Sequence, residues 1–201
     1  DPLTGPVSNT PPFSFVYDGR KSPELLTAWP VERNKRKMDD GRVVHTIVWT
    51  DPKTALQVRC EGVEYLNFPT LEWTVYFKNT GDTDTPILSE IKGIDLVLQR
   101  GMVGEYTLHH KVGSPATIND YAPLEDILNP GTTKHLETNG GRPLNGSMPY
   151  FNVQWHGAGA IVVIGWPGQW AAGFIRDGST GLQVRGGQEL TQLTLLPGEE
   201  I

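Results

Sequence analysis

The chain has 201 residues, and its 17 Lys and Arg stand against 23 Asp and Glu, a formal net charge of −6 that excludes a phosphate-backbone binder, which needs a basic face. Twenty-three glycines and 16 prolines punctuate it too often for a helical bundle, and six each of Trp, Tyr and Phe give it too much aromatic surface for disorder. The length fits one large all-β domain, residues 1–201, with a substantial core.

Residues 1–12 read as an extended lead-in, opening Asp1-Pro2-Leu3-Thr4 without Met, a basic start or an apolar signal core. That start leaves the compartment open, a secreted or periplasmic location included. Strands are expected at 13–17, 42–49 and 56–65, and most clearly at 71–78. In that last run Leu71, Trp73, Val75 and Phe77 fall on one face, and Glu72, Thr74, Tyr76 and Lys78 on the other, the period of two of a half-buried antiparallel strand. Further strands are expected at 87–98, 105–110, 150–155, 160–166, 171–176, 181–184 and 190–196. Asp40-Gly41, Thr50-Asp51-Pro52, Asn79-Thr80-Gly81-Asp82 and Asp177-Gly178-Ser179 supply turn chemistry between them. No segment sustains helical periodicity for three turns, so the fold class is a large antiparallel β-sandwich.

Two stretches stand apart. Residues 158–166 are the longest apolar run, nine residues, about half of what a membrane helix needs, and read as a buried strand. Residues 112–149 pass through Pro115, Pro123, Pro130, Pro143 and Pro149 without alternation. They read as a long loop, ordered because Tyr121, Leu124, Ile127 and Leu128 give it apolar surface to pack.

The residue types that carry chemistry are scattered. The neighbouring carboxylates Asp39-Asp40, Glu125-Asp126 and Glu199-Glu200 read as solvated turn charge, and none identifies an acid and a base. The five histidines form no metal-binding spacing, and His109-His110 on a strand would point to opposite faces, so no metal and no cofactor is expected. Cys60 is alone, which rules out an internal disulfide, and it reads as a small buried thiol. The stronger leads are aromatic. Gly165-Trp166-Pro167-Gly168-Gln169-Trp170 places two indoles around a Gly-Pro turn, and Asn119-Asp120-Tyr121 sits in the middle of the long loop. Each has two readings, a sugar-stacking or sugar-bonding role and a packing or turn role.

The run 71–81, with Thr85-Pro86-Ile87-Leu88 after it, resembles the amino-terminal β-domain of bacterial α-galactosidase-like proteins of glycoside hydrolase family 36. Asn119-Asp120-Tyr121-Ala122-Pro123-Leu124, Gly141-Arg142-Pro143, Pro149-Tyr150-Phe151-Asn152, the Trp166 to Trp170 run and the closing Leu196-Pro197-Gly198-Glu199-Glu200-Ile201 extend the likeness over residues 40–201. The resemblance implies a β-supersandwich that precedes a (β/α)8 barrel carrying both catalytic aspartates. It therefore implies no catalytic residue here, a galactoside shared with the barrel, and Asp120 and Tyr121 as contributors to the sugar pocket, with Trp166 and Trp170 behind them. It also implies an apolar patch that seats the barrel, through which the isolated chain would form a homo-oligomer. An autonomous carbohydrate-binding module is the alternative that the aromatic residues support.

Overall fold

The computed structural model describes residues 10–201, so the first nine residues of the expected lead-in lie outside the described residues. The chain is all-β and sandwich-like, with four antiparallel four-stranded sheets and a single helix of five residues among the described residues. By its contacts it divides into two compact units, the first formed by residues up to Ile91 together with Leu190–Ile201, the second by Lys92–Glu189.

In the first unit, β1 (Ser14–Tyr17) and β2 (Arg20–Lys21) lead into the helix α1 (Ser22–Leu26). Then β3 (Val31–Lys37), β4 (Arg42–Thr50), β5 (Leu56–Tyr65) and β6 (Thr70–Asn79) form one sheet in sequence order, while β7 (Leu88–Lys92) joins β1 and β2 in the other. The ladder of β5 with β6 runs from Leu56↔Asn79 to Tyr65↔Thr70. That register sends Phe77, Val75 and Trp73 to the core face beside Val58 and Cys60, as the alternation requires. Phe15 of β1 meets Phe77 edge-on at 5.1 Å and Phe13 meets Trp49 at 5.8 Å, which closes the two sheets over one aromatic core. Each such ring, fully buried, contributes about 1.5–3 kcal/mol. Asn79 is buried at the end of β6, and its amide donates to the carbonyls of Thr83 (2.8 Å) and Leu195 (2.9 Å) while its oxygen accepts from Gly81 N–H (2.9 Å). The expected Asn79-Thr80-Gly81 turn thus also ties the closing segment to β6. Burial of the Cys60 thiol pushes its pKa up to about 12.

The second unit holds β8 (Ile94–Gln99), β9 (Tyr106–Lys111), β10 (Pro123–Leu128), β11 (Thr133–Glu137), β12 (Tyr150–Trp155), β13 (Ala158–Val163), β14 (Trp170–Arg176) and β15 (Gly181–Gln188). The short β16 (Gln192–Leu193) belongs to the first unit, paired with β7. One sheet has the order β10-β9-β12-β13 and the other β11-β14-β15-β8. Their inner faces meet through Phe151 on β12, which lies edge-on to Trp170 at 5.7 Å and to Phe174 at 5.1 Å, both on β14. Tyr106, Leu108, Val153, Leu182 and Val184 complete this core. At one end Arg176 is buried, and its guanidinium donates to Glu105 (3.0 Å), Asp177 (2.6 Å) and the carbonyls of Asp177, Ser179 and Gly181. A charge taken that far from water is tolerable only with its donors satisfied in this way.

Three expectations are corrected. The 112–149 stretch contains two strands, β10 and β11, in place of a continuous loop; both are edge strands with one buried residue each, Leu128 and Leu136, so no alternation marks them. Residues 158–166 are not a buried strand: β13 is the edge of its sheet, and Ile161 on it is 77% exposed. Glu125-Asp126 lies in β10, not in a turn, so its two carboxylates face opposite sides of the sheet, one toward His109 and one toward His110.

Candidate functional site

The loop carrying Asp120 and Tyr121 is the connection of the β9–β10 hairpin. Val112 N–H bonds the Ala122 carbonyl at 3.0 Å and closes it at the neck. Within it the Asp120 carboxylate accepts from Thr117 N–H (2.8 Å, Oδ1) and from the Ser114 hydroxyl (2.7 Å, Oδ2). These bonds, the Thr117 amide first and the Ser114 hydroxyl second, hold the carboxyl below its ordinary pKa and keep it anionic. Tyr121 takes φ of +60°, a left-handed conformation that costs a non-glycine residue about 1–2 kcal/mol. Its N–H bonds the Gly113 carbonyl at 3.1 Å, which fixes the conformation, and its side chain remains 45% exposed. Strain held by surrounding bonds at an exposed aromatic residue marks a candidate for function.

The loop rests on a second one, residues 139–149. Gly113 N–H bonds the Gly146 carbonyl (2.9 Å) and Ser114 N–H the Leu144 carbonyl (2.7 Å). A Cβ at Gly113 would stand 1.9 Å from the Leu144 carbonyl oxygen, so only glycine permits this approach. From the other side, residues 166–170 hold the same segment. The Gln169 side-chain oxygen accepts from Gly141 N–H at 3.0 Å, and Trp170 Nε1–H donates to the Pro143 carbonyl at 2.7 Å. The hairpin loop and the tryptophan turn therefore flank one common segment, without a hydrogen bond joining Asp120 or Tyr121 to Trp166 among the described residues.

The two tryptophans separate. Trp166 is 40% exposed, and its indole lies over Gly168, where a Cβ would come within 2.7 Å of Nε1. Trp170 has no exposed surface; it is a core side chain, and no face of its ring is open to a sugar. The alternating pattern of β14 puts it inward with Ala172 and Phe174, and its expected place at the pocket is taken by a structural role beneath residues 139–145.

Sequence reading missed a cleft of about 680 Å³ on the β10-β9-β12-β13 sheet. Its lining includes Tyr150, Asn152, His109, Glu125, Leu124 and Ile161. Register explains the assembly: Glu125 pairs His109, His109 pairs Asn152 and Asn152 pairs Ile161, one row across four strands on the outer face. His109 is held on both ring nitrogens, by Glu125 at 3.3 Å and by Gln154 at 3.0 Å. On the inner face His110 is buried, with Nε2 2.8 Å from Asp126, which also accepts from Lys134 at 2.8 Å. Lys134, ahead of His110, holds the Asp126 carboxyl below its ordinary pKa. Asn152 and Tyr150 stand alone in the sequence as strand residues, and only pairing brings them beside His109. Among the described residues, no group of three or more His, Cys, Asp or Glu is placed to hold a metal ion, and no helix is long and apolar enough to cross a membrane.

No protein-family model matches the chain, and no curated protein matches it either. Solved structures do. The GH36 α-galactosidase AgaA from Geobacillus stearothermophilus has a TM-score of 0.70 at 13% identity, over 96% of this chain and 29% of its own. The α-galactosidase from Lactobacillus brevis gives 0.71 at 12% identity, over 96% of this chain and 28% of its own. The galactosidase domain of the α-galactosidase-sucrose kinase AgaSK gives 0.66 at 15%, over 100% and 30%. The chain shares its fold with part of the GH36 α-galactosidases. It spans under a third of the length of each, and at these identities the likeness is one of fold. Variants of AgaA have been crystallised with stachyose and with raffinose.

Proposed function

We propose that the chain is the non-catalytic amino-terminal β-domain of an α-galactosidase-like glycoside hydrolase, supporting a catalytic barrel and lending side chains to its galactoside pocket. The observation that carries this reading is a fold match over 96% of the chain that takes up only 29% of AgaA. The division of roles follows from the residues. Asp120 is anionic and preorganised, and each of its oxygens keeps acceptor capacity beyond the Thr117 and Ser114 bonds, enough for two sugar hydroxyls. Tyr121 and Trp166 offer exposed ring surface for the apolar face of a pyranose. Trp170 acts from below by fixing Pro143. None of these groups performs bond cleavage; glycoside hydrolysis needs two carboxylates across the scissile bond, and that pair belongs to the barrel in this reading.

The test is steady-state kinetics of the barrel-containing enzyme on raffinose and melibiose. Asp120→Ala is expected to lower kcat/KM by about tenfold or more, the loss of at least one charge-assisted bond. Unchanged kcat and KM in a folded variant would sink the assignment. So would sugar binding by the 201-residue chain alone that Asp120→Ala abolishes, since the loop would then be a complete site without a barrel.

A further inference from the structure

We infer that the outer face of the β10-β9-β12-β13 sheet is a second sugar site, separate from the Asp120 loop, which takes a neutral pyranose unit of an oligosaccharide on the Tyr150 ring. A sheet face that merely meets water is polar along its outward row. This one is not. Tyr150 is 52% exposed, and Ile161, Ile127 and Val163 stand exposed on the same face. Between them runs the polar row Glu125, His109 and Asn152, continued by Gln154 two residues along β12. Apolar rings and aliphatic groups beside a line of amide, imidazole and carboxylate match a pyranose, which has an apolar C–H face and a rim of hydroxyls that both donate and accept. Asn152 supplies donor and acceptor together, and Glu125 accepts.

The charges argue for a neutral ligand, because Glu125 and Lys111 both line the cleft and oppose each other for any ion. Its volume, about 680 Å³, lies within the usual range for small-ligand sites.

The site is independent of the barrel, so the test uses the 201-residue chain. Raffinose, stachyose, maltohexaose, cellohexaose and xylohexaose are titrated into ¹⁵N-labelled protein, and amide shifts are followed. At least one sugar is expected to move the amides of Tyr150, Asn152, His109 and Ile161. Tyr150→Ala and Asn152→Ala, both at exposed positions, are each expected to weaken it by roughly tenfold, with the remaining spectrum as the check on folding. Asp120→Ala is expected to leave this binding unchanged. Absence of shifts at these amides with every sugar overturns the inference, as do shifts centred on Asp120 and Tyr121. The kinetic test of the Asp120 loop reads different residues, so either assignment can fail while the other stands.

Discussion

Trp170 separates a structural from a ligand-contacting tryptophan, and its removal has a calculable cost. The ring is wholly buried, edge-on to Phe151 at 5.7 Å, with its N–H on the Pro143 carbonyl at 2.7 Å. Trp170→Phe keeps most of the packing and deletes the donor. The lost hydrogen bond costs about 1 kcal/mol, and the missing part of the ring leaves a void that adds about 1 kcal/mol more. Trp170→Ala removes the whole indole and is expected to cost about 3–5 kcal/mol. Urea unfolding followed by circular dichroism is the assay, with the midpoint falling in the order wild type, Phe, Ala at constant m. In the Phe variant, amide exchange at Gly141 and Asn139 is expected to quicken, because the 139–145 segment loses one of its two tethers from the 166–170 turn. An Ala variant within about 1 kcal/mol of wild type would refute the core assignment. So would one that loses sugar contacts while keeping its stability.

Gly168→Ala places a methyl against Trp166 Nε1, so the indole is expected to swing away, with a shift of its fluorescence; if Trp166 contacts the galactoside, KM of the barrel-containing enzyme rises with kcat little changed. Glu105→Ala strips one of the two carboxylates from the buried Arg176 and is expected to cost about 2–3 kcal/mol in urea unfolding, less than for a wholly buried pair because Glu105 is partly exposed and Asp177 stays. Arg176 holds the Glu105 carboxyl below its reference value of 4.5, so this contribution is complete above pH 4.5 and is lost as pH falls through the folded value; the variant should show a flatter acid limb. Asp120 behaves in the same sense around its reference value of 3.8, and the protection of the Thr117 amide against exchange, taken relative to its intrinsic rate, is expected to drop as the pH falls below it. Cys60, raised to about 12, is expected to resist iodoacetamide at pH 8 in the native chain and to react at once in urea.

What the sequence disclosed depended on whether one face of a strand is buried. β4, β5, β6, β9, β12 and β14 pack one side on a core, so their apolar residues repeat at every second position and each was legible. β3 has all seven residues exposed, Val31-Glu32-Arg33-Asn34-Lys35-Arg36-Lys37, and carries no periodic signal. β10 and β11 fail for the same reason. They are sheet edges, where a strand exists because a neighbour offers hydrogen bonds and not because its side chains seek a core. The run 158–166 misled in the opposite sense: its apolar residues mark exposed surface at an edge.

The same distinction governs the sites. Asp120 and Tyr121 could be singled out because they break the strand rhythm, and a loop long enough to be noticed is also one that its neighbours must hold in place. What no residue pattern conveyed is how it is held. Gly113 against Leu144 is a contact of loop with loop and Ser114 against Asp120 a bond within the loop, and together they decide that the carboxylate is fixed before any ligand arrives. The cleft is less legible still, since Glu125, His109, Asn152 and Ile161 come from four strands and converge through register alone. A one-residue slip of β12 against β9 would send Tyr150 and Asn152 inward and Phe151 out. The Phe151 contacts with Trp170 and Phe174 oppose that slip, so the core on one side of the sheet sets the row of polar groups on the other. It follows that a substitution at Phe151, though its ring is buried, should disturb the cleft as well as the core, whereas one at Tyr150 should disturb the cleft alone.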